Sequence, residues 1–228
     1  MKKLSGQIQC FEHESEVLKS NPLRDPHVRQ IYVYSPAEAP STKKLPALMA
    51  LVGFGGTGAQ LLNVDPFGED LATRMDRLIA SGACPPVRIV IPDCFTRVGG
   101  NQYINSTATG AYEDYLLKEI VPFIGGHVGI SHWGVFGKSS GGFGSIALGL
   151  RNPEIFKVFA NHSGDSNFEL SYLPDFPSPF DEFKKAGGPE KWLDKMWKDP
   201  NPKRKKYHKP LNLSLIHISE PTRLRRIS

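Results

Sequence analysis

The stretch Gly134–Gly144, GVFGKSSGGFG, spells two active-site turns at once. Gly137-Lys138-Ser139 is the way a phosphate-binding loop ends. Gly137-Lys138-Ser139-Ser140-Gly141 is G-x-S-x-G, a strand-to-helix turn that presents a serine hydroxyl for attack. Spacing decides between them. A phosphate loop written G-x-x-x-x-G-K-[ST] needs glycine at position 132, where the chain has His132. The hydroxyl reading needs a strand running straight into the turn, small residues around the serine, and a helix starting at once. Trp133–Phe136 supplies the strand, Gly137, Gly141 and Gly142 the small residues, and Gly141–Leu150 the helix. Ser139 is the candidate nucleophile; the alternative is a Gly/Ser turn without chemistry, which the motif alone leaves open.

Attack on an acyl carbonyl creates an oxyanion, and two backbone N–H donors must meet it. One belongs to the residue after the nucleophile, Ser140. The other is expected from a glycine-rich loop at the end of an earlier strand, and Val52-Gly53-Phe54-Gly55-Gly56-Thr57-Gly58 stands there. Phe54 is the expected second donor, with Gly53 and Gly55 letting the chain approach the substrate. Gly53, Gly55 and Gly58 also match the dinucleotide fingerprint G-x-G-x-x-G. That fingerprint should open a helix, yet Ala59–Asn63 is soon interrupted by Asp65-Pro66 and Gly68, and no acidic residue ends a strand about twenty positions on. An oxyanion loop accounts for both glycine sites together.

Three further positions are substrate-binding candidates. His162 and Asp165 follow a strand's carboxyl end, and either line the site or cap and orient the His162–Asp165 turn. Asn105 lies in the polar stretch Asn101–Thr107, between a strand end and a helix, where substrate contacts or a plain loop are both expected. His127 and His132 sit on the side away from the expected site. No His/Cys/Asp/Glu cluster has metal-ligand spacing, so no metal and no cofactor is expected.

The elements that must position these residues read as an α/β pattern. Gln7–Phe11, Gln30–Tyr34, Leu45–Val52, Val87–Ile91, Trp133–Phe136 and Phe156–Asn161 read as strands, the middle ones as continuous apolar runs buried on both faces. Glu69–Ser81 reads as a helix with Leu71, Met75, Leu78 and Ile79 on one face and Gly82 just past its end; Tyr112–Ile124 reads as a second. Strand and helix in alternation predict a mostly parallel central sheet with helices on both faces. From Gly164 the pattern gives way to a Pro- and aromatic-rich excursion with one expected helix, Lys191–Trp197.

Composition bounds the rest. The formal net charge of 228 residues is +5, but Arg223, Arg225, Arg226 and Glu220 of the last segment contribute a net two of it. The basic run Lys203–Lys206 lacks a basic face or aromatic platform, so nucleic acid is not an expected partner. Three cysteines, Cys10, Cys84 and Cys94, form no close-spaced pair and suit a reducing compartment. The N-terminus has no apolar signal region, and no run is long enough to span a membrane. A cytoplasmic protein acting on a small molecule is expected, with its oligomeric state open.

Four segments resemble one family: the opening strand pair through VYSP, the LVGFGG loop, YEDYLLKEIVPFI, and VFGKSSGGFGSIALGLRNPEIFKVFANHSGD. They are similar to the branch of the α/β-hydrolases that holds esterase D (S-formylglutathione hydrolase), enterochelin-type esterases and mycolyltransferases. Val52 departs from it, standing where relatives often have His. The resemblance implies a serine carboxylic-ester hydrolase working through an acyl-enzyme, or an acyltransferase, or a catalytically dead binding module on the same fold. It further implies a Ser-Asp-His triad in chain order, with Asp and His after later strands. Asp165 comes one strand too early, and Asp175, Asp181, Asp194, Asp199 and His208 have no such strand before them. Residues 213–223, LSLIHISEPTR, resemble one reading frame of a sequencing-library adapter, with 224–228 its flank. The expected organisation is therefore a core at 1–165, the excursion and basic stretch at 166–212, and a non-native tail at 213–228. The native chain is expected to be longer by on the order of 50–100 residues, and the fragment to lack turnover without its base.

Overall fold

Successive apolar residues of the four central strands point to opposite faces of the sheet, so each strand feeds two cores at once. The structure, a computed structural model, describes residues 4–37, 39–63, 67–172, 174 and 177–200. Six strands form its sheet: β1 (Gln7–Glu14), β2 (Val28–Ser35), β3 (Leu45–Leu51), β4 (Arg88–Pro92), β7 (Ile130–Lys138) and β8 (Phe156–His162). Their order is β1-β2-β4-β3-β7-β8. β3 runs parallel to β4 and β7, and β7 parallel to β8, while β2 is antiparallel to both β1 and β4. Two short strands, β5 (Asn105–Ser106) and β6 (Gly110–Ala111), make a separate hairpin.

On one face, Ile31, Val33, Ala47, Met49, Leu51, Val90 and Val135 pack under Tyr112, Tyr115, Leu116, Ile120 and Ile124. Those five belong to a continuous helical stretch: α2 (Tyr112–Asp114), a π-helical segment Tyr115–Ile120, and α3 (Val121–His127). Leu148 of α4 (Ser140–Arg151) joins the same core. On the other face Tyr34, Ala50, Ile89 and Ile91 pack against Ala72 and Met75 of α1 (Leu71–Ala80). Asp70 caps α1 by accepting from the Thr73 N–H at 3.0 Å, and Gly82, at φ +71°, follows its end.

Two elements differ from the sequence expectation. The helix expected without interruption over Tyr112–Ile124 widens into a π turn, its Val121 N–H bonding to the Leu116 carbonyl. Pro122 explains this: it has no N–H, and its ring would meet the carbonyl four residues back in a regular helix. Among its described residues the excursion holds three helices where one was expected: α5 (Phe168–Tyr172), α6 (Pro177–Ala186) and α7 (Pro189–Trp197). Pro177 and Pro189 open helices, a position where the missing N–H costs nothing, so prolines that read as loop residues mark helix starts. Phe183, Trp192 and Met196 pack into a satellite core between α6 and α7. Lys203–Lys206, His208 and the segment 213–228 lie outside the described residues.

Candidate active site

β7 leads directly into α4, and Ser139 is the hinge between them. Its backbone sits at φ +56° and ψ −123°, a conformation that L-residues avoid. Two hydrogen bonds hold it there: the Ser139 N–H donates to the His162 carbonyl at 3.0 Å, and the Ser139 carbonyl accepts from the Phe143 N–H at 3.0 Å. The glycines around it are required by space. A Cβ on Gly137 would collide with the Gly141 carbonyl, and one on Gly141 with the Leu51 carbonyl. Ser140, 1% exposed, is the first residue of α4, where backbone N–H groups have no partner within the helix.

The glycine-rich loop after β3 lies against this turn. A Cβ on Gly53 would stand 3.3 Å from the Ser139 Cβ and 3.9 Å from its Oγ, so the two backbones are close-packed. The loop is held from outside by the segment that follows β4. The Gly55 N–H donates to the Gly99 carbonyl at 2.6 Å, and the Phe54 ring lies over Gly99 and Gly100. The Tyr103 hydroxyl donates to the Val52 carbonyl at 2.6 Å. Tyr103 is itself held at φ +59°, its N–H donating to Asn101 Oδ1 at 2.6 Å while Asn101 Nδ2 donates to the Cys94 carbonyl at 2.7 Å. Burial pushes the Tyr103 phenol far above its ordinary pKa, so it remains a donor at any working pH.

Ser139, Gly53, Phe54, Gly55, Lys138 and His162 line one cleft of about 630 Å³. Asp165 takes a place behind it. Its carboxylate accepts from Ser140 Oγ at 3.4 Å and from Gln102 Nε2 at 3.5 Å, and Gln102 also reaches Ser140 Oγ at 3.4 Å. The Tyr172 phenol is pushed up by burial first and then by its hydrogen bond to the same carboxylate. Asp165 is thus engaged with the residue after the candidate nucleophile. Asn105 is set apart from the cleft: its Oδ1 accepts from the Asp114 N–H at 3.0 Å, at the start of the α2 stretch. Gly58 opens a 3-10 turn of five residues, Gly58–Leu62, rather than a long helix. No group of three metal-ligating side chains occurs among the described residues.

Gln102 and Tyr103 escaped the reading of the sequence. The signal for them was the aromatic inside Asn101–Thr107, a stretch otherwise polar but for Ile104. Nothing in the residue types announces that a tyrosine will adopt positive φ, since the Asn101 side chain and the packing of Gly144 against the Tyr103 ring impose it.

A family model described as Putative esterase matches residues 25–225. No curated protein sequence matches the chain. Among solved structures, a ferulic acid esterase is 25% identical, with 71% of this chain and 59% of that one covered at a TM-score of 0.58. An S-formylglutathione hydrolase from Agrobacterium tumefaciens is 23% identical over 70% of this chain and 58% of that one, with a TM-score of 0.54. Fluorophosphonate-binding serine hydrolase F from Staphylococcus aureus is 17% identical over 72% and 60%, with a TM-score of 0.55. The chain therefore spans about three fifths of the length of these structures. The likeness shows the α/β-hydrolase fold.

Proposed function

Because the chain belongs to the Putative esterase family of α/β-hydrolases, we propose that it is the nucleophile-bearing part of a serine carboxylic-ester hydrolase. Ser139 Oγ adds to the acyl carbonyl of a small-molecule ester. The backbone N–H groups of Phe54 and Ser140 receive the oxyanion, the alcohol leaves with a proton, and water then cleaves the acyl-enzyme. The observation that carries this reading is the strained turn at Ser139, with Gly53 of the preceding loop packed against it. A strained backbone held by its surroundings at a cleft wall is how a fold stores geometry for chemistry.

A serine hydroxyl needs a base to become a nucleophile. Among the described residues no histidine side chain is hydrogen-bonded to Ser139; His162 contributes its carbonyl. We assign the Asp and His of the triad to residues outside those described, and residues 1–200 alone would bind ester without rapid turnover. That same observation favours a second reading, a binding module on the hydrolase fold. Cysteines Cys10, Cys84 and Cys94 are all free, which supports a reducing, cytoplasmic setting. No helix among the described residues is long and apolar enough to cross a membrane.

The test uses protein carrying the proposed continuation beyond residue 212. It is expected to hydrolyse p-nitrophenyl acetate, and Ser139→Ala to lower kcat by more than about 10⁴-fold with an unchanged circular-dichroism spectrum. Retained turnover in the variant would falsify the assignment. An added alcohol that competes with water for the acyl group would make the enzyme a transferase instead.

A further inference from the structure

Among the described residues lining the cleft beside Ser139, Lys138 carries the formal charge and no carboxylate opposes it. In the parallel pair β7–β8, Phe136 stands opposite Ala160 and Lys138 opposite His162. Side chains two apart on a strand share a face, and opposed residues in a ladder point the same way. Lys138 and His162 therefore stand side by side on the face that Phe136 and Ala50 form as the floor of the cleft. Both are exposed, and both line the cleft next to Ser139. The remaining lining residues are glycines, apolar side chains, Gln60 and Ser139, with no carboxylate among them. Among the described residues no ion pair includes Lys138, whereas Arg29, Arg77, Arg97, Lys118 and Arg151 each have a carboxylate partner.

From this arrangement we propose that Lys138 and His162 form an anion subsite, and that the ester presented to Ser139 carries a carboxylate. The ammonium supplies charge, the imidazole a directional donor, and the apolar floor seats the chain linking carboxylate to ester. Lysine at the middle position of Gly137-Lys138-Ser139 is the sequence mark of the subsite. Calling the ligand a substrate rests on the ester-hydrolase reading; the subsite itself does not.

The test separates the two. The chain carrying Ser139→Ala is titrated by ligand-observed NMR with monomethyl glutarate and with its neutral counterpart, dimethyl glutarate. The acid ester is expected to bind about fivefold more tightly, the upper end for one solvent-exposed charge pair and equal to about 1 kcal/mol. Adding Lys138→Met, on an exposed side chain, should bring the two ligands to within about twofold, and Lys138→Arg should keep the preference. Equal binding of both esters, or a preference that survives Lys138→Met, overturns the subsite. Methanol release is followed in parallel with Ser139 and the proposed continuation in place. No release from either ester, with the fivefold preference intact, sinks the hydrolase reading and leaves the subsite standing.

Discussion

Ser139 keeps its positive φ because the carbonyl of His162 takes its N–H and three neighbouring backbones leave no room to relax. Strain of this kind costs on the order of 1–3 kcal/mol and is offset by the packing around it. Glycine relieves it, so Ser139→Gly should be at least as stable as the parent in urea. Gly137→Ala should lose about 3 kcal/mol or more, because its new Cβ meets backbone rather than a movable side chain. A Gly137→Ala protein as stable as the parent would mean that the turn is looser than described. G-x-S-x-G was legible because its glycines are forced by space, and space shows in residue type. Tyr103 was not, because its conformation is forced by side-chain contacts, with Asn101 two residues back and with Gly144 far along the chain.

The segment between β4 and β5 does at the scale of elements what the glycines do at the scale of atoms. It holds the Val52–Gly58 loop, and a buried network anchors it in turn. Arg29, 2% exposed, donates to Asp93 at 3.0 Å, to the Phe95 carbonyl at 2.8 Å and to the Tyr112 hydroxyl at 2.9 Å. Asp25 accepts from the Arg97 N–H at 2.7 Å and from Tyr112 at 3.1 Å. Burial outweighs these bonds and raises the Asp25 pKa. A carboxyl whose folded pKa lies above its unfolded one opposes folding when ionised, and that cost disappears as pH falls through the folded value. The stability of the parent minus that of Asp25→Asn should therefore grow between pH 7 and the ordinary Asp range near about 4, read from urea midpoints. A difference that stays flat or shrinks would contradict the burial of Asp25. All six sheet strands were legible from apolar runs and alternation. The π turn and α5 and α6 were not, because one proline widened a helix and others opened helices where a loop was expected.

Across the whole molecule the two sheet edges are unlike. β1 carries Glu12, His13 and Glu14, which discourage pairing with another chain. β8 exposes Val158 (60%) and Phe159 (43%), with Leu150 of α4 (65%) close by in the chain. An exposed apolar edge strand is a template for association. Residues 4–200 in isolation should sediment with a weight-average size that rises across the micromolar to millimolar range, and Val158→Lys should flatten that rise. Identical profiles for the two proteins would show that association, if present, runs through another surface. Fold class could be read from sequence, and the candidate nucleophile named, because both rest on local patterns. The placement of Lys138 beside His162, and of Asp165 behind Ser140, depends on how separate strands and loops come together.

Whether Ser139 is a nucleophile can be read by site mapping of a fluorophosphonate probe. In protein carrying the proposed continuation beyond residue 212, one probe per chain should be found by mass spectrometry on the peptide containing Ser139, and none after Ser139→Ala. A probe that leaves Ser139 unmodified, or that settles on another serine with equal stoichiometry in the variant, would contradict the account.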